Sequence, residues 1–232
     1  FAGWHRELSV LWRFSLPSAA AGILVMPIHW LVQSLLVRQH GFAAQAEFVV
    51  GLQWNALATS LPMVLLGALL PVLSSIPPDQ EARRRRVLWL GVALAAGITT
   101  VIALPIGLCA SWVLKAYGRD FAGGDLLLRL MLLAAVLDAV GRVFWQTLSA
   151  IGCAWRRLLA NGALAVMEIA AAWWLIPAHG AVGLAGALLL ARVTHLLIQV
   201  PVTLQALRSA GARARSASHS GPSVPIPSPQ EE

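Results

Sequence analysis

Residues 87–114 read VLWLGVALAAGITTVIALPIGLCASWVL, without a charged side chain, directly after Arg83, Arg84, Arg85 and Arg86 and directly before Lys115. A helix rises about 1.5 Å per residue, so about 20 apolar residues cross a hydrocarbon core about 30 Å thick. This stretch is long enough with residues to spare. Inside a bilayer no water satisfies the backbone, so an apolar span of this kind is an α-helix.

The rest of the chain has the same character. It is 58% hydrophobic and 12% charged, with a mean hydropathy of +0.73, more apolar and less charged than a soluble domain. Five further apolar stretches read as spans: about 16–37, about 48–73, about 126–151, about 158–176 and about 182–204. The sequence therefore predicts an all-α polytopic membrane bundle of about six transmembrane helices. Pro27, Pro62 and Pro105 fall inside the first three spans, where each is expected to kink its helix and free a carbonyl.

Arginine and lysine set the orientation. One side collects Arg6, Arg13, Arg83–Arg86, Arg156, Arg157, Arg208, Arg213 and Arg215. The other collects Arg38, Lys115 and Arg119, with Arg129 just inside the fourth span. The asymmetry places both ends of the chain and the arginine-rich loops in the cytoplasm, which requires an even number of crossings. The net charge of +7 and the run Arg83–Arg86 then read as a topology signal beside anionic lipid, with no nucleic-acid partner.

Residues 1–15 form the first unit. Trp4, Leu8, Leu11 and Trp12 recur at helical spacing opposite His5, Arg6, Glu7 and Arg13, as in an interfacial amphipathic segment. Residues 16–207 form the transmembrane lobe, and 208–232, rich in Ser, Pro, Ala and Arg, read as a disordered cytoplasmic tail. A chain that starts at Phe1 reads as a fragment or a processed end, and it carries no signal-peptide pattern. Cys109 and Cys153 have no metal-ligand spacing and read as packing residues.

Polar side chains at membrane depth are expensive and face a cavity or a partner. Asp138 and Arg142 lie four apart on one face of the fourth span, and Gln146 continues their stripe. Glu168 sits mid-way along the fifth span. Arg192, His195 and Gln199 form a stripe on the sixth, and His29 and Gln33 do so on the first. Two readings stay open. In one, Asp138–Arg142 and Glu168–Arg192 are structural pairs that neutralise themselves. In the other, these stripes line a hydrophilic cavity in which Arg142 and Arg192 bind an anion such as phosphate. No nucleophile–base–orienter set, metal-ligand cluster or phosphate-cradling glycine loop stands out, so neither an enzyme nor a cofactor is expected.

Several motifs, taken in order, resemble a known family. Leu11-Trp12-Arg13-Phe14-Ser15-Leu16-Pro17 and Pro27-Ile28-His29-Trp30 are followed by Gln53-Trp54-Asn55, Leu61-Pro62 and Leu70-Pro71-Val72-Leu73-Ser74. Tyr117-Gly118-Arg119-Asp120-Phe121 and His179-Gly180-Ala181-Val182-Gly183-Leu184-Ala185 come later. Together they resemble bacterial O-antigen and polysaccharide flippases of the multidrug/oligosaccharidyl-lipid/polysaccharide exporter superfamily. The resemblance implies that the chain is the C-terminal six-helix lobe of a two-lobe transporter, with residues 4–14 as the connection between lobes. It implies translocation of an undecaprenyl-pyrophosphate-linked oligosaccharide across the inner membrane by alternating access. The implied partners are the lipid-linked oligosaccharide, membrane lipids, and a missing N-terminal lobe or second copy. Arg142, Arg192, His195, Gln146, His29 and Gln33 become the expected cavity residues, and Asp138 and Glu168 the ion-coupling or structural acids. The alternatives are a cation-coupled multidrug antiporter of the same superfamily, working through Asp138 or Glu168, and a non-transporting membrane scaffold.

Overall fold

The computed structural model describes residues 16–77, 80–118, 121, 123–152 and 154–219, and these are helical almost throughout, with no strand among them. The order is α1 (Leu16–Gly67), α2 (Leu69–Ser75), α3 (Glu81–Leu108), α4 (Ala110–Lys115), α5 (Asp125–Ala150) and α6 (Ala154–His219). Two of these fold back on themselves. Helix α1 breaks at Gly41 (φ 79°) and α6 at Gly180 (φ 56°), left-handed values that glycine adopts without a Cβ penalty. Split there, the chain has long arms at 16–40, 42–67, 81–108, 125–150, 154–179 and 181–219.

The expected proline kinks do not set these breaks. Pro27 and Pro62 lie inside continuous helix, as do Pro177 and Pro201. Pro105 is followed by the end of α3 at Leu108, where Cys109 N–H donates to the Pro105 carbonyl before α4 begins. A proline removes one intrahelical bond but keeps a helical φ, whereas a positive φ reverses the chain. The two reversals meet. His40 Nε2 lies 2.8 Å from the Ile176 carbonyl, and its ring packs against Gly180, so one reversal is tied to the other.

Helix α6 continues to His219, through residues 208–219 that the sequence reading gave to a disordered tail. Ala212, Arg213, Ala214 and Arg215 are strong helix formers, and they favour helix there. The interfacial segment expected at 1–15 lies outside the described residues, as do residues 220–232 of the tail. Cys109 is exposed at the α3–α4 break, not packed, and Cys153 also lies outside.

Helix α6 packs chiefly on α1 and α5, and α3 packs on α5. Val32, Leu36 and Phe48 from the two arms of α1 meet Leu127 and Met131 of α5 and Ile176 and Leu184 of α6. Asn55 donates from its side chain to the Met131 carbonyl at 2.8 Å, fixing α1 against α5. On the outside, large apolar side chains stand free: Trp174 is 83% exposed, Trp112 81% and Met26 77%. An apolar exterior on this scale suits lipid contact. Two helical stretches, Glu81–Leu108 and Leu158–Ala212, are long and apolar enough to cross a membrane.

Candidate functional site: a charged pocket between three helices

The charged stripes converge because α5 presents one face to both α1 and α6. At about 100° per residue, Asp138, Gly141, Arg142 and Trp145 share one side of α5. They line a pocket of about 260 Å³ together with His29 of α1 and Asn161, Leu164, Arg192 and His195 of α6. Gly141 packs against the second arm of α6, with Gln199 Oε1 and His195 Nδ1 at ordinary contact distance, about 4 Å, from where a Cβ would stand.

Asp138 is shared by two guanidiniums. Arg142 places Nη2 at 2.9 Å and Nε at 3.0 Å from its Oδ2, while Arg192 places Nε at 3.3 Å from its Oδ1. Each guanidinium has five N–H donors, and the carboxylate engages only some of them. The trio carries one net positive charge. The Asp138 side chain is 18% exposed and that of Arg142 40%, so the cluster opens at the pocket mouth.

Glu168 is buried beneath, its side chain 3% exposed, with Oε1 3.0 Å from His29 Nδ1. That oxygen makes no directed hydrogen bond, so what joins the two side chains is ion-pair proximity alone. This corrects the expected Glu168–Arg192 pair. Arg192 turns to Asp138 on α5 instead, and Glu168 takes a histidine from α1. His195, buried beside the cluster, has Nε2 without a hydrogen-bond partner, and Gln199 has neither side-chain atom bonded.

The remaining expected residues lie off the pocket lining. Gln33 accepts a hydrogen bond of 2.7 Å from Gln45 across the α1 reversal. Gln146 carries its stripe one turn past the pocket, with Oε1 buried and unpartnered. Sequence reasoning missed Asn161. The signal was there: it stands seven residues, two turns, before Glu168 on the same helix face.

No protein-family model matches the chain, and no solved structure matches it. Two curated relatives do. Over 175 residues the chain is 29% identical to the EPS I polysaccharide export inner membrane protein EpsE of Ralstonia nicotianae, covering 73% of this chain and 39% of that protein. Over 176 residues it is 26% identical to the protein of the same name from Ralstonia solanacearum, with the same coverage. Both relatives are named for polysaccharide export. The chain is thus similar, over most of its length, to inner-membrane polysaccharide export proteins, and it spans about two fifths of their length.

The burial of Glu168 makes a prediction. His29→Leu removes the one basic group within ion-pair reach of its carboxylate among the described residues. Breaking a fully buried pair costs about 3–5 kcal/mol, and with His29 partly exposed the apparent stability in detergent is expected to fall by about 2–3 kcal/mol. Adding Glu168→Gln should return most of it, because a neutral amide no longer needs a counter-charge. Thermal unfolding of the two variants followed by size-exclusion chromatography checks this.

Proposed function

We propose that this chain is the C-terminal lobe of a polysaccharide export transporter that carries a lipid-linked, pyrophosphate-bearing oligosaccharide from the cytoplasmic to the periplasmic leaflet. The observation that supports this best is one carboxylate shared by two guanidiniums at the mouth of a pocket, with N–H donors left over. A pyrophosphate brings several acceptor oxygens, and planar guanidiniums match phosphate in pairs of parallel hydrogen bonds. Buried His195, with Nε2 unpartnered on the same lining, offers a further polar contact. The names of the two relatives support polysaccharide as the cargo.

In this reading the long arms stand across the membrane as about six spans, with the arginine-rich loops and both chain ends in the cytoplasm. A single lobe forms one wall of the cavity, and the facing lobe, or a second copy, completes it. Rocking of the lobes about a midplane site exposes the cluster first to one side and then to the other. The lipid tail stays in hydrocarbon while the charged headgroup follows the arginines. The family proposed is that of the polysaccharide flippases in the multidrug/oligosaccharidyl-lipid/polysaccharide exporter superfamily, which the sequence motifs resemble.

Replacing Arg142 and Arg192 together with Gln in the complete transporter tests the proposal. Surface polysaccharide is expected to fall at least about tenfold, since two charge-assisted contacts of about 1.5–3 kcal/mol each are lost. Export at the wild-type level, with normal amounts of protein in the membrane, would remove the claim. A drug antiporter working through Asp138 predicts the reverse: resistance to cationic amphiphiles would be lost in Asp138→Asn and retained in the arginine variants.

A further inference from the structure

Helix α5 has a second functional-looking face, opposite the first. Arg129, Leu132, Leu133 and Val136 line a groove of about 480 Å³ with Thr100, Leu104 and Leu108 of α3. At about 100° per residue these α5 positions lie about half a turn from Asp138, Gly141, Arg142 and Trp145. If the charged pocket faces the other lobe, as proposed above, the groove faces lipid.

The groove has a polarity. Its charged end is at Arg129, in the second turn of α5, beside Gly107 and Leu108 in the last turn of α3. From there it runs about 10–12 Å along both helices, to Val136 and Thr100, between leucine and alanine walls. Arg129 is held in place by a hydrogen bond from Nε to the Gly107 carbonyl at 3.2 Å, which leaves both Nη groups free of that bond. No carboxylate among the described residues lies within ion-pair reach of it. Asp125, one turn earlier and correctly spaced, accepts from Ser111 instead. A cation near a helix end above an apolar furrow matches one lipid class by charge and shape: the anion sits on the guanidinium and the chain lies below.

We propose that this groove binds an anionic phospholipid in the leaflet opposite the arginine-rich loops, with its phosphate on Arg129 and one acyl chain between α3 and α5. The proposal rests on the membrane-lobe reading. The site is distinct from the charged pocket, so the bound lipid is a fixed companion of the fold and not the cargo.

Native mass spectrometry of the detergent-released chain tests it, titrated with phosphatidylglycerol or with phosphatidylcholine of the same acyl chains. Arg83, Arg85 and Arg86 are changed to Gln in every sample, so that the basic run at the other end contributes nothing; buried Arg84, which holds the Ile76 carbonyl, is kept. One phosphatidylglycerol is expected to bind about fivefold more tightly than phosphatidylcholine, the preference that about 1 kcal/mol per cation gives. Arg129→Gln should lower that preference about fivefold and Arg129→Lys retain most of it. Leu133→Trp, at an exposed lining position, should weaken both lipids. Whatever preference remains after the drop in Arg129→Gln belongs to the charged pocket at Arg142 and Arg192. A preference undiminished by Arg129→Gln overturns the proposal. So does glycerol phosphate binding as tightly as the intact lipid, which would make the site a simple anion site. Recovery of the chain from the soluble fraction would instead overturn the membrane-lobe reading itself.

Discussion

Gly183→Ala is expected to abolish accumulation of folded protein, although it adds a single methyl group. Past the Gly180 reversal the second arm of α6 starts against the end of the first. A Cβ at position 183 would be driven into the Leu175 carbonyl oxygen, with its carbon at 2.6 Å and Ile176 N at 3.1 Å. All three obstacles are backbone. A side chain can rotate away from an intruding methyl, but a helical carbonyl cannot without breaking its own hydrogen bond. The remaining escape is to open the reversal, which swings the arm carrying Arg192 and His195 away from α5. Overpacking of yielding cores costs about 1–3 kcal/mol, and against rigid backbone the cost is expected at or above the top of that range.

Two neighbouring glycines calibrate the claim. At Gly186 a Cβ meets only Leu175 Cδ1 at 3.7 Å, an ordinary contact, so Gly186→Ala should accumulate normally. Gly180→Ala should fall between the two. Its backbone (φ 56°, ψ −129°) lies in a sparsely populated region that costs a non-glycine residue about 1–3 kcal/mol, and the His40 ring at 3.3 Å must give way. Fluorescence-detected size-exclusion of tagged variants ranks all three in one experiment. Normal yields of Gly183→Ala would show that the reversal is looser than described.

The helical arms were legible because charge-free stretches of span length admit few other conformations in a bilayer. So were the places where the chain turns back: the predicted spans end near 37 and 176 and resume near 48 and 182, and the reversals at Gly41 and Gly180 fall in those two gaps. Which residue of each gap takes the positive φ was not readable, because that is a property of local backbone geometry. The site divides in the same way. Asp138 with Arg142 was readable, since positions four apart on one helix always share a face. Which partner comes from a second helix was not readable. Asp138 meeting Arg192, and Glu168 meeting His29, depend on how far α5, α6 and α1 are rotated about their own axes. That rotation is set by packing such as Gly141 beside Gln199 and Phe48 beside Met131, which no single helix encodes.

The same sharing of one carboxylate separates structural from functional roles for the cluster. Asp138→Asn leaves Arg142 and Arg192 facing each other without a counter-charge. Breaking a fully buried pair costs about 3–5 kcal/mol; here the groups are partly accessible, so a loss of about 2–3 kcal/mol is expected. For a chain of this size that lowers the apparent melting temperature by roughly 5–10 °C. The triple variant Asp138→Asn, Arg142→Gln, Arg192→Gln removes the charge and its repulsion together, so it should regain most of that stability. Export should not return, because the amides cannot supply the charge that a pyrophosphate needs. Stability restored with export still absent assigns the two arginines to the cargo and Asp138 to holding them apart and poised. Stability and export restored together would instead make the trio a strut, and the anion site would have to be sought elsewhere on the cavity wall.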